Sequence, residues 1–336
     1  MKIHQVSETE FVMKGQGVHT AFVDLVALLK EKDDIEVVVN DEGYGDIFHG
    51  HTYGPYFFLK GRRYKGRRIH TVHVIPDSIK GSLPMWKSLM PATRWFFKKV
   101  YNYVDVLIAI SPMVEEAILD LGVKTPIRRI YNPIRTEFWK RNSEKREKGR
   151  KRLGLKESDF VVLGVGQIQG RKGVEDFIEV GKSIEGAKFV WAGGRPFGAF
   201  TEGISRIDQQ IEENADRIQF TGILDLEIMP EIYAAADVFL FTSYQENCPL
   251  APLEAAASGM PVIYRDIEEY KSLYLNPYLK GSNNLEFTNL LQRLKDDPEY
   301  YEEGLKVSEK LISQFEKNFI RKQIIDLYQD LWDGKI

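Results

Sequence analysis

Phe160-Val161-Val162-Leu163-Gly164-Val165-Gly166-Gln167-Ile168-Gln169-Gly170-Arg171-Lys172-Gly173 passes from an apolar, β-branched run into a glycine loop with two cations, and a helical pattern follows over 173–184. Strand, glycine turn and helix in that order open a parallel sheet. Downstream, Lys188–Ala192, Arg217–Thr221, Val238–Thr242 and Val262–Tyr264 predict further strands, and 203–214, 227–236 and 252–258 the helices between them. Upstream, the same alternation occurs once more. Ile3–Val6, Ile35–Val39, Asp46–His49, Arg68–Val74, Val106–Ile110 and Arg128–Tyr131 predict six strands, with helices over 18–31, 91–104 behind Pro91, and 112–121. The fold class is therefore α/β, two doubly wound halves in sequence, and 336 residues suit two domains of roughly 150 each.

The expected boundaries are 1–136, 137–314 and 315–336. Between the halves, Asn132-Pro133 is followed by 137–157, where nine Lys or Arg stand among few apolar residues, and this reads as a hinge and an exposed helix. The last segment spaces Phe315, Ile320, Ile324, Leu327, Tyr328, Leu331 and Trp332 by three and four, so it predicts a helix with one buried stripe. With 43% apolar and 28% charged residues the chain is globular. No run is long and apolar enough to span a bilayer, and MKIHQVSETE lacks the order of a signal peptide, so a cytoplasmic or membrane-peripheral protein is expected. Cys248 is the one cysteine, which excludes an internal disulfide framework.

Three segments carry chemistry. Lys14-Gly15-Gln16-Gly17-Val18-His19-Thr20 opens the first helix, where free N–H groups favour an anion, although such a turn also serves merely to join strand to helix. In the opening stretch Arg171 offers a planar fork and Lys172 a compact charge beside Gly166, a set that suits a diphosphate. Glu246-Asn247-Cys248-Pro249-Leu250-Ala251-Pro252-Leu253-Glu254 follows an apolar strand, and its prolines keep 246–251 out of a helix that starts at Pro252. The amides of Asn247, Cys248 and Leu250 can then face a ligand, and the carboxylates of Glu246 and Glu254 can accept from sugar and ribose hydroxyls.

Charge is distributed unevenly: residues 51–100 hold eleven basic against one acidic residue, and 201–300 seven basic against eighteen acidic. The basic block interleaves aromatics with Arg62, Arg63, Arg67, Arg68, Lys98 and Lys99, and Trp86, Trp95 and Phe96 belong to it, a mixture that suits an anionic bilayer interface. Nucleic acid could use similar side chains, but nucleotide-type loops in both halves favour the membrane. All six histidines lie within the first 73 residues. His49-Gly50-His51 and His70-x-x-His73 have spacings seen at metals, yet no acidic or cysteine partner completes a site, so no metal is expected. His73 ends a strand and is the best placed to face a ligand.

These segments together resemble the retaining glycosyltransferases of family 4, which have the two-Rossmann-domain architecture called GT-B. The resemblance rests on G-Q-G-V-H-T, D-I-F-H-G-H, T-V-H, I-S-P-M-V-E-E, Y-N-P-I, G-Q-I-Q-G-R-K-G, A-A-A-D-V-F-L-F and the E-x7-E spacing of Glu246 and Glu254. It is closest to bacterial glycolipid synthases that act on monoglucosyldiacylglycerol. It implies a last helix that crosses back to the N-terminal domain. It further implies that Arg171 and Lys172 hold a UDP-sugar diphosphate, Glu254 the ribose and Glu246 the sugar, with Gly15, Gly17 and 247–250 completing the anion cradle. His73 would face the reacting sugar, no metal would be needed, and the enzyme would sit on the cytoplasmic face of the membrane. Rival expectations are a family member that builds surface polysaccharide, a first-step diacylglycerol glucosyltransferase, and a non-catalytic GT-B subunit.

Overall fold

The computed structural model describes residues 1–9, 17–79, 86–195 and 204–336. Among them the chain divides into two compact units, one made of residues up to Pro133 together with Phe315–Ile336, the other of Ile134–Gln314. The division falls at Ile134, three residues before the expected one. Ile134 and Trp139 are fully buried, which draws the short Thr136–Trp139 helix into the second unit.

The first unit is one parallel sheet of β1 (Lys2–Val6), β2 (Glu36–Val39), β3 (Ile47–Gly50), β4 (Arg67–Val72), β5 (Val106–Ala109) and β6 (Ile127–Arg129), in the order β2-β1-β3-β4-β5-β6. β3 and β5 are buried along their whole length, as strands covered on both faces must be. The order reverses between β1 and β3, and a sheet of this kind binds ligands beyond the carboxyl ends of its strands at such a point. The Pro55–Arg62 helix was not expected. Its first amides are capped from far along the chain: Glu8 accepts from the N–H groups of Gly54 at 2.7 Å, Tyr56 at 2.8 Å and Phe57 at 3.1 Å.

Two sequence expectations are corrected in this unit. The helix expected behind Pro91 begins at Trp86 and runs to Tyr101, with Pro91 inside it. Pro91 is exposed, so the carbonyl that loses its N–H partner there can be hydrated. In the terminal Lys317–Trp332 helix, Ile320, Ile324, Leu327, Tyr328 and Leu331 are buried, but Trp332 is 53% exposed. That helix belongs to the first unit and enters it through Tyr328, whose hydroxyl bonds Gln5 and His49.

The second unit is also one parallel sheet, of β7 (Phe160–Val165), β8 (Ala187–Ala192), β9 (Ile218–Phe220), β10 (Val238–Phe241), β11 (Val262–Arg265) and β12 (Leu279–Gly281), ordered β12-β11-β10-β7-β8-β9. Its reversal lies between β7 and β10, so the loops that follow these two strands flank the crevice. The units divide at the expected Asn132-Pro133, but the basic helix that follows is exposed on one side only. Ser143–Leu153 packs against the Met229–Ala235 helix, and a Cβ at Gly149 would come within 2.0 Å of the Glu231 carbonyl. Asp237 fixes it from below by pairing with Arg146 at 3.1 Å and with Arg150, 3% exposed, at 3.0 Å.

Candidate functional site

In the second unit the loop after β7 and the loop after β10 are bound to one another. The backbone leaves the first through Gly173, whose φ of +68° favours glycine and whose Cβ position lies 2.2 Å from the Thr242 carbonyl. The Thr242 hydroxyl donates toward the carbonyls of Lys172, 3.1 Å, and Gly173, 2.9 Å, and the Tyr244 amide donates to the Arg171 carbonyl at 2.8 Å. These bonds place both expected cations against the β10 loop.

Lys172 Nζ donates to Glu246 Oε1, and the Ser243 hydroxyl donates to the same oxygen at 2.7 Å. The two charged side chains are only 16% and 10% exposed. Burial on its own pushes the Glu246 carboxyl up, but the charges of Lys172 and Arg171 and the two hydrogen bonds outweigh it and hold the group below the usual carboxylate range. Burial likewise lowers Lys172, an effect that Glu246 opposes. Arg171 Nη1 donates to the Gln245 carbonyl at 3.2 Å, while its buried Nε has no hydrogen-bond partner among the described residues. An anion with several oxygens is the complement of such a pair of donors.

Glu254 lies on the first turn of the Ala251–Ala257 helix, one residue longer at its start than expected. It is 6% exposed, and Tyr233 donates to its Oε2 at 2.6 Å. Burial, and then the Glu254 charge, raise the Tyr233 phenol well above its ordinary value, so it stays a donor. Cys248 and Leu250 are buried and Asn247 is half-buried. Gly166 accepts from Trp191 Nε1 at 3.0 Å and brackets the β7 loop. Ser243, Tyr233 and Arg265 were not expected. Arg265, 5% exposed, donates to the Thr242 carbonyl at 2.8 Å and to Asp176 at 2.6 Å, so it braces the β10 loop from behind. No spacing rule links these residues to Lys172; the sheet order does.

In the first unit, His73 follows β4 and is 7% exposed. The histidines expected as packing residues form a polar line with it: His51 Nδ1 lies 3.1 Å from His73 Nε2, and His49 bonds Tyr328 and Thr71 at 2.7 Å each. Among the described residues no group of three or more His, Cys, Asp or Glu could hold a metal ion. Gly15 lies outside the described residues. Gly17 is the first residue of the Gly17–Lys30 helix, with open space where a Cβ would be.

The surface expected at a membrane divides. Lys87, Leu89, Arg94, Trp95, Lys98 and Lys99 are exposed on the Trp86–Tyr101 helix, Leu89 by 46% and Trp95 by 64%. Arg62, Arg63 and Arg67 are exposed nearby in the chain. Arg68 is otherwise engaged: it lies 4.8 Å over the Tyr103 ring and donates to the Tyr64 carbonyl at 3.0 Å. Phe96 turns inward, to Tyr53 and Phe58. Trp86 opens the helix, and its side chain lies outside what is described. Among the described residues no helix is long and apolar enough to cross a membrane.

Two nucleotide-type sheets, with paired cations at the crevice of the second, define a GT-B glycosyltransferase, and comparison with known proteins agrees. The family model described as glycosyl transferases group 1 matches residues 145–303, and that of glycosyltransferase family 4 matches 21–138. The chain belongs to this family. It is 31% identical over 337 residues to the alpha-galactosylglucosyldiacylglycerol synthase of Streptococcus pneumoniae, covering 98% of this chain and 89% of that protein. It is 27% identical to the processive diacylglycerol alpha-glucosyltransferase of Acholeplasma laidlawii, covering 91% and 92%. Among solved structures, Anabaena HepE in complex with UDP and glucose superimposes with a TM-score of 0.77 at 18% identity, over 98% of this chain and 100% of that one, a likeness of fold.

Proposed function

We propose that this glycosyltransferase moves a hexose, glucose or galactose, from a UDP-sugar to a glycolipid at the cytoplasmic face of the membrane, with retention of the α configuration. Monoglucosyldiacylglycerol is the acceptor that fits best, and a diglycosyldiacylglycerol the product. The supporting observation is the Lys172–Glu246 pair with Arg171 at the β7/β10 crevice. Arg171 and Lys172 take the diphosphate, Glu246 the sugar hydroxyls and Glu254 the ribose. As the anomeric bond breaks, the diphosphate gains negative charge and the sugar ring positive character. Cations already fixed at 171 and 172 then stabilise the transition state more than the ground state. They supply the positive charge that a metal ion would otherwise bring, so turnover is metal-independent. Membrane association is peripheral, through the exposed Leu89 and Trp95 and the cations around them.

The experiment incubates the chain with each labelled UDP-hexose and either diacylglycerol or monoglucosyldiacylglycerol in mixed vesicles, then separates the lipids by thin-layer chromatography. A two-sugar lipid formed from monoglucosyldiacylglycerol, undiminished in EDTA, is the expected result. Product from diacylglycerol alone would make it the first-step enzyme, and label in neither lipid would overturn the glycolipid reading.

A further inference from the structure

Each unit reverses its strand order once, and in each the two loops at that point are joined. In the second unit the joint includes the Lys172–Glu246 pair. In the first it is Glu8, on the loop after β1. Its backbone N–H donates to Thr52 Oγ1 at 3.0 Å, and the His51 N–H donates to the Val6 carbonyl at 2.9 Å, so the loops after β1 and β3 run side by side. The Glu8 carboxylate then reaches the helix behind the β3 loop. Its Oε2 accepts from the Gly54 N–H, and its Oε1 from the N–H groups of Tyr56 and Phe57. These are donors that the start of a helix leaves without an intrahelical acceptor, and one side chain takes all three.

Gly54 carries the imprint of the same contact. Its φ of −74° and ψ of −176° are extended backbone open to any residue, so the turn itself does not ask for glycine. The Glu8 side chain does: a Cβ at 54 would lie 2.0 Å from Oε2 and 2.4 Å from the carboxyl carbon. The carboxylate could make room only by swinging away from the three amides. On the helix held in this way Leu59, Arg62 and Arg63 are exposed, Leu59 by 62%, and a spacing of three and four puts them on one face. Residues 55–67 hold five basic and no acidic side chains. Phe58 packs on Phe96 with 6.1 Å between ring centres, so this helix adjoins the Trp86–Tyr101 helix that exposes Leu89 and Trp95.

We propose that Glu8 is a positioning residue which clasps the Pro55–Arg62 helix to the loop after β1, so that the face of Leu59, Arg62 and Arg63 meets the acceptor's lipid surface in fixed register with the first unit's own switch point. The clasp stands on the first unit alone. The occupant of the face, an anionic bilayer that holds the glycolipid, rests on the proposed function. Positive charge with no negative neighbour beside an exposed leucine is the complement of such a surface. Loosening the clasp therefore acts on the acceptor and spares the donor, whose cations lie in the second unit.

The test begins with amide hydrogen exchange on the unaltered full chain, read by NMR. The Gly54, Tyr56 and Phe57 amides should be protected, and in Glu8→Gln, whose side chain presents an N–H where an acceptor is needed, they should exchange on the order of tenfold faster. Rapid exchange of all three in the unaltered chain overturns the clasp, whether or not any variant folds. The second arm is transfer to monoglucosyldiacylglycerol in anionic vesicles. Glu8→Gln and Gly54→Ala should each raise the apparent KM for the lipid on the order of tenfold and move KM for UDP-hexose by less than about twofold. Gly54→Ala added to Glu8→Ala should do no further harm, because the Cβ enters the space the carboxylate held, and fully additive losses would overturn the contact between them. An equal rise in both KM values, or a fall in kcat with neither KM moved, overturns the positioning of the acceptor. Faster exchange in Glu8→Gln with an unmoved lipid KM supports the clasp and refutes its service to the lipid face. If the unaltered chain transfers no sugar to glycolipid, the proposed function fails, and the exchange arm still decides the clasp.

Discussion

Lys172→Met keeps the side chain's length and removes its charge, which leaves the Glu246 carboxylate buried with the Ser243 hydroxyl at 2.7 Å and Arg171 as its remaining support. Removing one partner of a buried ion pair costs about 3–5 kcal/mol. Since Ser243 remains and the two side chains keep 16% and 10% exposure, the loss belongs at the lower end, about 3 kcal/mol. In a unit of this size that lowers Tm by roughly 6–12 °C. Turnover should fall on the order of 10²–10³-fold, because one preorganised donor to the developing charge is gone. Loss of stability and loss of donor contact are separable. In Lys172→Met with Glu246→Gln the stranded charge is also removed, so stability should return to within about 1 kcal/mol of the parent; Glu246→Gln alone strands Lys172 at a similar cost of about 3 kcal/mol, which makes the coupling about 5 kcal/mol. Turnover should stay low. Urea unfolding and steady-state transfer on the four chains of this cycle decide the matter. Coupling under about 0.5 kcal/mol would refute the claim that the pair ties the two loops together. Recovery of turnover in the double variant would refute a role for Lys172 on the donor.

Stability should also fall in mild acid. Burial holds His70 down to about 3 and His73 to about 4, with His49 and His51 well below the ordinary value, whereas the unfolded chain takes up these protons near 6.5. Below pH 6.5 the unfolded state thus binds protons that the folded state refuses. The stability is fully present above that pH and is lost as pH falls toward the folded values. Between pH 7 and 5.5 His70 and His73 together lose roughly 2.5 kcal/mol, and His49 and His51 add to the loss in the same direction, to be read by denaturant unfolding at both pH values; a flat profile would mean that the rings take up their protons when folded. For the membrane face, Lys98→Ala with Lys99→Ala should weaken sedimentation with anionic vesicles roughly thirtyfold, at about 1 kcal/mol per cation, and the difference should vanish in high salt. Arg68→Ala should instead leave vesicle binding unchanged and lower stability, since Arg68 is stacked on Tyr103.

Most of the sheet was legible because buried parallel strands are continuous apolar runs: Phe160–Val165 and Val106–Ala109 need no partner to be recognised. What escaped depends on contacts remote in sequence. The Pro55–Arg62 helix has an ordinary composition, and its cap is Glu8, more than forty residues away. The basic tract 137–157 reads as solvated until Asp237 is found beneath Arg146 and Arg150. In the site, Arg171, Lys172, Glu246 and Glu254 were legible because charge at strand-end loops has few structural uses. Ser243, Tyr233 and Gln5 were not, since neutral polar residues are common in every kind of element and only the fold shows their partners: Glu246 for Ser243, Glu254 for Tyr233, and Tyr328 and His51 for Gln5.

The two units meet the proposed chemistry with different electrostatics, and the difference has a physical reason. The leaving diphosphate gains negative charge, so fixed cations belong beside it, and Arg171 and Lys172 are held there by the β10 loop. In the first unit burial instead keeps the His73 ring neutral down to about pH 4, so at neutral pH this polar cluster carries no charge there. The cluster of buried histidines is then more than packing. Burial keeps the rings neutral, and the bonds of His49 to Thr71 and Tyr328 and of His51 to Gln5 orient them, a task that a leucine at 49 or 51 could not perform.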